Sequence, residues 1–285
     1  MRKMGSDFLA LTKSRLTLVA LLPVALGFYL GQKGWGNPWI LFHTLAGSGF
    51  LGAGANALNQ YLEKDADAQM ARTRNRPLPA GRLNDSEVLW FGSWLCVVGA
   101  VELFIFVNKQ AAFFGTLTAL TYVFCYTPLK KISYLNTYVG AISGALPCVI
   151  GWAAAEAQWG IRPWVLFAIF YVWQLPHFFA IAWVYRDDYG RSGLKMLPVR
   201  DENGVLTSWK LVLLSASLMF LSAAPWVVGM MGRTYLLGSL ALGAGLTGVA
   251  VILKIRGLAC IKSYVAASIA YLILLTGLMV VDGKI

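Results

Sequence analysis

The sequence predicts an all-α membrane protein that crosses the bilayer nine times. Of its 285 residues, 58% are hydrophobic and only 13% charged, where soluble domains carry about 25% charged residues. The apolar residues gather into nine runs, each long enough or nearly so to cross a hydrocarbon core of about 30 Å as a helix of roughly 20 residues. The basic residues between those runs are unevenly divided, as membrane topology requires. No segment of soluble-domain size separates the runs, so a single integral domain over 1–285 is expected.

The runs lie near 16–32, 40–61, 87–107, 111–128, 134–155, 163–184, 210–231, 235–253 and 264–281. The first follows a basic N-terminus, as a signal peptide would. It ends in Gly31-Gln-Lys-Gly-Trp-Gly36 without a small-residue cleavage site, which predicts an uncleaved span. Glycines Gly47, Gly49, Gly52 and Gly54 in the second run, and Gly238, Gly243, Gly245 and Gly248 in the eighth, predict close helix packing. Only Asn108, Lys109 and Gln110 separate the third and fourth runs, so these form a tight helical hairpin. Tyr126-Thr-Pro128-Leu-Lys130-Lys131 marks the end of the fourth. Pro23, Pro147, Pro176 and Pro225 fall inside runs, where freed carbonyls permit kinks. Cys96, Cys125, Cys148 and Cys260 form no CxxC pair and read as small core residues. The second and sixth runs each end in a long charged loop, a weak internal echo consistent with an old duplication.

With nine spans and a cytoplasmic N-terminus, the inner segments carry Arg2, Lys3, Lys13, Arg15, Lys64, Arg72, Arg74, Arg76, Arg82, Lys130, Lys131, Arg186, Arg191, Lys195, Arg200, Lys210, Lys254, Arg256 and Lys262. The outer segments carry Lys33, Lys109, Arg162, Arg233 and Lys284. Nineteen against five fixes the expected orientation, with the C-terminus outside and the loops 62–86 and 185–209 cytoplasmic. The net charge of +11 is thereby spread over short loops, and no nucleic-acid partner is expected. The absence of an Arg- and Ser-rich amphipathic presequence favours a bacterial inner membrane.

The densest charge cluster is Asn59-Gln-Tyr-Leu-Glu63-Lys-Asp65-Ala-Asp67-Ala-Gln-Met70-Ala-Arg72-Thr-Arg74-Asn-Arg76-Pro77. Asn59, Glu63 and Asp67 fall at i, i+4 and i+8, one helix face, with Asp65 pointing away. An amide and two carboxylates offer hard oxygens to a cation such as Mg2+. Arg72 and Arg76 offer planar forks for phosphate. A charge run is ordinarily a solvated loop; the start of this one at the end of a span favours a site. Tyr185-Arg186-Asp187-Asp188-Tyr189-Gly190-Arg191, followed by Lys195 and Pro198, repeats the acid-plus-base pattern on the same side. The two loops suit a metal and a diphosphate held at the cytoplasmic rim, with an apolar prenyl chain among the spans.

Asn59-x3-Glu63-x3-Asp67 with Met70-x-Arg72-Thr-x2-Arg76-Pro-Leu resembles the first signature of the intramembrane prenyltransferase superfamily. Glu63 in the middle position, the Arg-Thr-x2-Arg-Pro-Leu tail, Tyr126-Thr-Pro-Leu-Lys-Lys, Trp173-Gln-Leu-Pro-His177-Phe and Asp187-Asp188-Tyr189 are similar to the protohaem IX farnesyltransferase (haem O synthase) branch. The resemblance covers nearly the whole chain. It implies nine helices around a central cavity and Mg2+-dependent transfer of a farnesyl group from farnesyl diphosphate to a vinyl group of haem b. The chemistry implied is ionisation of the C1–O bond to an allylic cation, attack by the vinyl carbon, and capture of the resulting cation by water.

By the same resemblance, Asn59, Glu63 and Asp67 hold one Mg2+, and Asp187 or Asp188 supplies the second metal loop. Arg72, Arg76 and Lys195 contact diphosphate. Lys130 either joins them or is a topology anchor. His177, inside the sixth run, is a haem ligand or positioning group, or else an interhelical hydrogen-bond partner. His43 and Glu102 read as structural. Two other functions remain open: prenylation of a quinone precursor such as 4-hydroxybenzoate, and non-catalytic transport. The transport reading is disfavoured because both clusters sit on one side, away from the bilayer midplane. A homo-oligomer or a haem-modifying partner is compatible with the sequence.

Overall fold

The computed structural model describes residues 4–283, so Arg2, Lys3 and Lys284 of the charge count lie outside the described residues. The helices are α1 (Met4–Leu11), α2 (Ser14–Gln32), α3 (Pro38–Leu62), α4 (Lys64–Gln69), α5 (Asp85–Phe106), α6 (Lys109–Leu120), α7 (Thr127–Ile132), α8 (Asn136–Ala154), α9 (Ile161–Val184), α10 (Arg186–Arg191), α11 (Leu197–Arg200), α12 (Val205–Leu221), α13 (Ala224–Val227), α14 (Arg233–Arg256) and α15 (Ile261–Asp282). A π-helical stretch, Thr121–Tyr126, joins α6 to α7. The described residues contain no strand, only one isolated bridge between Met231 and Gly283.

Eight helical stretches among the described residues are long and apolar enough to cross a membrane. This is a multi-pass membrane protein. The eight do not include α3, although it has 25 residues and would extend about 37 Å at 1.5 Å per residue. Polar side chains lower its hydropathy: His43, Thr44, Ser48, Asn56, Asn59 and Gln60 are all buried. Residues 56, 59, 60 and 63 recur at helical spacing and form a polar stripe. The stripe faces other parts of the protein, as described below.

The residues form two compact units. One runs to Ala157 and takes in Asp187–Lys195; the other comprises Gln158–Arg186 and Met196 onward. The first unit is built on close glycine contacts. A Cβ at Gly27 of α2 would overlap the Cys148 carbonyl of α8, and one at Gly151 of α8 would overlap the Val24 carbonyl of α2. Gly54 and Gly99 do the same for α3 and α5, a Cβ at either lying 2.6 Å from a facing carbonyl oxygen. Lipid tails offer helices no hydrophobic incentive to associate, so this backbone approach and its van der Waals contact drive pairing. Phe28, Leu51, Leu103 and Ile150 fill the core beside these crossings. The expected packing role thus holds for Gly47 and Gly54, and in the eighth run for Gly238 against Leu278 and Gly243 against Met219. Gly49 and Gly52 meet only ordinary contacts, and Gly245 and Gly248 nothing within 4 Å.

In the second unit, buried hydroxyl pairs tie α12 to α15: Ser215 Oγ to Tyr264 Oη and Ser222 Oγ to Tyr271 Oη, both 2.6 Å. The seventh run begins earlier than its hydropathy suggests, at Val205. The Asp201 carboxylate accepts from the Thr207 N–H at 2.6 Å and from the Leu206 N–H at 3.3 Å, capping α12 there. The run is also interrupted: α12 stops at Leu221, and Pro225 opens the separate short helix α13. Of the cysteines, Cys148 is buried and Cys96 partly so; Cys125 and Cys260 are exposed, contrary to a core role, and all four are free. His43 Nδ1 lies 2.6 Å from Glu102 Oε1, and the imidazole stacks on Phe106, so each polar group has the other for a partner inside α3 and α5.

Candidate functional site

The first unit contains a cavity of about 120 Å³ lined by Lys13, Asn59, Glu63, Asp67, Met70, Arg72, Arg76, Tyr122, Lys130, Tyr189 and Leu194. The expected face of Asn59, Glu63 and Asp67 survives a change of helix. Regular α3 ends at Leu62, yet the Glu63 N–H donates to the Asn59 carbonyl at 3.0 Å and the Asp67 N–H to the Glu63 carbonyl at 2.8 Å. Register therefore persists through the joint, and all three side chains reach one cavity. Asp65 is exposed.

Each of the three side chains is held by a neighbour. Asn59 Nδ2 donates to Thr127 Oγ1 at 3.0 Å, which leaves Oδ1 turned toward Lys13 Nζ, also at 3.0 Å. Thr127 Oγ1 in turn donates to the Tyr122 carbonyl at 2.8 Å, across the π-helical stretch. That stretch, the kind of irregularity frequent at functional sites, rotates Thr127 against Asn59 and brings Tyr122 into the lining. Glu63 Oε1 pairs with Lys130 Nζ at 2.8 Å, and Lys130 also lies 4.4 Å from the Tyr126 ring centroid. Asp67 Oδ2 accepts from Arg76 at 2.6 Å, while Asp67 Oδ1 is buried without a hydrogen-bond partner.

The electrostatics follow from this crowding. Burial pushes the Glu63 carboxyl up, but Lys130, with Lys13 and Arg76 behind it, outweighs burial and holds it below the usual carboxylate range. Removal from water, then repulsion from Arg76 and Lys130, pushes the Lys13 ammonium down to about 7. Arg72, Arg76 and Lys130, with a Lys13 poised near neutrality, thus face two carboxylates, an excess of positive charge suited to an anion.

The second polar loop contributes differently. Tyr189 and Leu194 line the cavity, but neither Asp187 nor Asp188 does. Asp187 is exposed. Asp188 is buried; its Oδ1 accepts from the Ala71 N–H at 3.3 Å and is paired with Arg191. Burial raises the Asp188 carboxyl, and Arg191, the Ala71 N–H and Arg72 more than offset it, leaving the group below its ordinary value. Asp188 is therefore a latch that fastens the second loop to the backbone just past Asp67. Lys195 is exposed and enters through its backbone: its N–H donates to the Lys130 carbonyl at 2.7 Å and its carbonyl accepts from Asn136 at 2.6 Å.

The donor set fits Mg2+. Among the described residues no group of three or more His, Cys, Asp or Glu side chains could hold a metal. Mg2+ is ordinarily held through one or two carboxylates with substrate phosphates completing its shell, and a buried, unpartnered Asp67 Oδ1 beside Asn59 and Glu63 would suit that half-shell.

The comparisons with known proteins bear on this geometry. Residues 20–279 match the UbiA prenyltransferase family. The chain belongs to the UbiA prenyltransferase family. Among its relatives, the protoheme IX farnesyltransferase of Solibacter usitatus is 41% identical over 97% of this chain and 98% of that protein. That of Koribacter versatilis is 36% identical over 98% of this chain and 94% of its own. The fold of this UbiA prenyltransferase is similar to that of a digeranylgeranylglyceryl phosphate synthase, with TM-score 0.81 at 16% identity over 97% of both chains. It also resembles a UbiA homologue from Archaeoglobus fulgidus solved with DMAPP and Mg2+, with TM-score 0.72 at 14% identity, covering 96% of this chain and 99% of that one.

In the second unit of this prenyltransferase, His177 of α9 is buried, stacks on Trp173 with centroids 5.0 Å apart, and places Nδ1 2.8 Å from Ser268 Oγ of α15. Ser268 Oγ also donates to the Val265 carbonyl at 2.8 Å. A hydroxyl has one proton and a carbonyl can only accept, so the proton between His177 and Ser268 belongs to Nδ1. The lone pair of the neutral imidazole is then on Nε2, oriented by the bond at the other nitrogen as metal-ligating histidines are.

Sequence reasoning reached Asn59, Glu63, Asp67, Arg72, Arg76 and Lys130 of the cavity lining. It counted Lys13 only as an inner positive charge and did not single out Tyr122. The one signal for Lys13 was its place just before the first span, shared with Arg15, which is exposed.

Proposed function

We propose that the protein transfers the farnesyl group of farnesyl diphosphate to a vinyl group of haem b, with water capturing the resulting cation, giving haem O and diphosphate, with Mg2+ required. The observation that carries the reading is the cavity in which Asn59, Glu63 and Asp67 meet Lys13, Arg72, Arg76 and Lys130. The names of the full-length relatives support the haem acceptor. Bound Mg2+ would polarise the diphosphate and neutralise charge as it leaves. Asn59, Glu63 and Asp67 hold the metal; Arg72, Arg76 and Lys130 take the diphosphate oxygens, so that the leaving group departs into a basic lining. Asp188 keeps the second loop in place, and Asp187, exposed beside it, is the carboxylate assigned to a second metal.

The same proposal reads the chain as one prenyltransferase domain, since the family match runs through both units. It counts α3 as a ninth span, and it places the N-terminus and both charged loops on the cytoplasmic side of a bacterial inner membrane, as the nineteen-to-five charge excess supports. One experiment tests acceptor and sidedness together. Farnesyl diphosphate is charged and does not cross bilayers. Sealed inverted vesicles given labelled farnesyl diphosphate, Mg2+ and both haem b and 4-hydroxybenzoate are expected to yield haem O by mass spectrometry, and right-side-out vesicles none. Label in 4-hydroxybenzoate and not in haem would overturn the acceptor. Equal activity from right-side-out vesicles would overturn the orientation.

His177 is the proposed haem contact, through Nε2. His177→Ala is expected to weaken haem binding about tenfold or more, the scale of one lost ligand or hydrogen bond to a charged group, and to leave binding of a farnesyl diphosphate analogue intact. A haem titration by Soret absorbance, run beside analogue binding, checks this. If the histidine only joined α9 to α15, its loss would cost about 0.6–2 kcal/mol of stability and leave the Soret titration unchanged.

A further inference from the structure

Lys13 occupies a position that a topology anchor does not need. It lies in the two-residue break between α1 and α2 with φ 46° and ψ 50°, the left-handed region that a lysine rarely adopts. The break is held there from α3. Gln60 Nε2 donates to the Leu11 carbonyl at 2.8 Å, and Asn56 Nδ2 donates to Thr17 Oγ1 at 3.1 Å. Asn59, between them, accepts from the Lys13 ammonium. The polar stripe that weakens the hydropathy of α3 is thus spent largely on fixing this one turn and the side chain it carries. The result sets a third cation beside Arg76 and Lys130 in a small cavity. A structural tie would avoid that repulsion; a site built for a polyanion requires it.

We propose that Lys13 is a diphosphate-binding residue, held in a strained turn so that its ammonium meets both Asn59 Oδ1 and the phosphate oxygens of the substrate. The ammonium keeps Asn59 Oδ1 directed into the cavity, where that oxygen would be available to a metal, and the two remaining N–H donors of Lys13 would be available to phosphate oxygens. This rests on the prenyl diphosphate reading above.

The test is direct binding of a farnesyl S-thiolodiphosphate to the purified full chain in nanodiscs, with Mg2+ and with EDTA, alongside the melting temperature. Failure of the wild type to bind in either condition would sink the prenyl diphosphate reading itself. Given wild-type binding, Lys13→Met is expected to weaken it about tenfold or more, the loss of one charged hydrogen bond, and Lys13→Arg to restore most of it. Lys13→Gly, which adopts a left-handed turn without strain, is expected to bind as poorly as Lys13→Met while melting no lower. Wild-type affinity in both Lys13→Met and Lys13→Gly would overturn the proposal, whatever happened to stability. So would a Gly variant that bound normally and merely melted at a different temperature.

Discussion

Asp67→Ala is expected to abolish prenyl transfer, with a loss of about 1,000-fold or more. Stabilisation of a departing diphosphate by a metal amounts to several kcal/mol, and each 1.36 kcal/mol is tenfold in rate. Asp67 is 1% exposed in its side chain, and one of its oxygens is already committed to Arg76 while the other has no partner. Removing it takes away the carboxylate proposed to hold the metal and also breaks the Arg76 ion pair, so alanine alone would mix catalysis with folding. Asp67→Asn separates the two, since it keeps a partner for Arg76 and a similar volume but loses the charge. It should retain wild-type melting behaviour and still lose activity by a comparable factor. Asp65→Ala, two residues away and exposed, should change turnover by about twofold or less, in line with ordinary surface substitutions. Turnover by Asp67→Asn near the wild-type rate at ordinary Mg2+ would refute the assignment.

The largest effect on stability is expected at Gly151. A Cβ there would overlap the Val24 carbonyl oxygen, and the symmetric clash at Gly27 involves the Cys148 carbonyl. Backbone atoms cannot rotate away as a side-chain tip can, so α2 and α8 must part along their length. Gly151→Ala should cost about 3 kcal/mol, the upper end of ordinary overpacking, and Gly151→Leu should give no monodisperse protein. Gly245→Ala, where nothing lies within 4 Å, is the matched control and should be neutral or slightly stabilising. Size-exclusion profiles and detergent melting curves check the series. A Gly151→Ala protein that melted with the wild type would mean the two helices are not held at backbone contact.

Much of this was legible in the residues. Asn59, Glu63 and Asp67 could be placed together because helical spacing is local and the register holds through the joint at Glu63. The start of α5 was read two residues late, at 87 instead of Asp85, because hydropathy does not register the Asn84–Glu87 capping box that begins the helix. Contacts over long separations were not legible. Nothing in Asp187-Asp188 says that the second aspartate turns to the Ala71 N–H, 117 residues earlier in the chain. Nor does Lys13 announce Asn59, 46 residues away. The π-helical stretch at Thr121–Tyr126 was also hidden, because Tyr126-Thr-Pro128 reads as a span terminus when only the missing proline N–H is weighed. In the structure Pro128 sits in the first turn of α7, where no N–H is required.

The Asp188 latch also has a meaning in time. The cavity draws on residues 13, 59–76, 122–130 and 189–194, and the chain is made from its N-terminus. While a ribosome is still adding the sixth apolar run, the Asn59–Glu63–Asp67 face, the arginines and Lys130 already exist, but Tyr189, Leu194 and the aspartate that fastens the Met70–Arg72 backbone do not. Until about residue 194 has been added, a nascent chain lacks the wall that closes this pocket. Completion of the second loop is therefore the step that converts a cluster of solvated charge into an enclosed binding site, and it comes when roughly two-thirds of the protein has been synthesised.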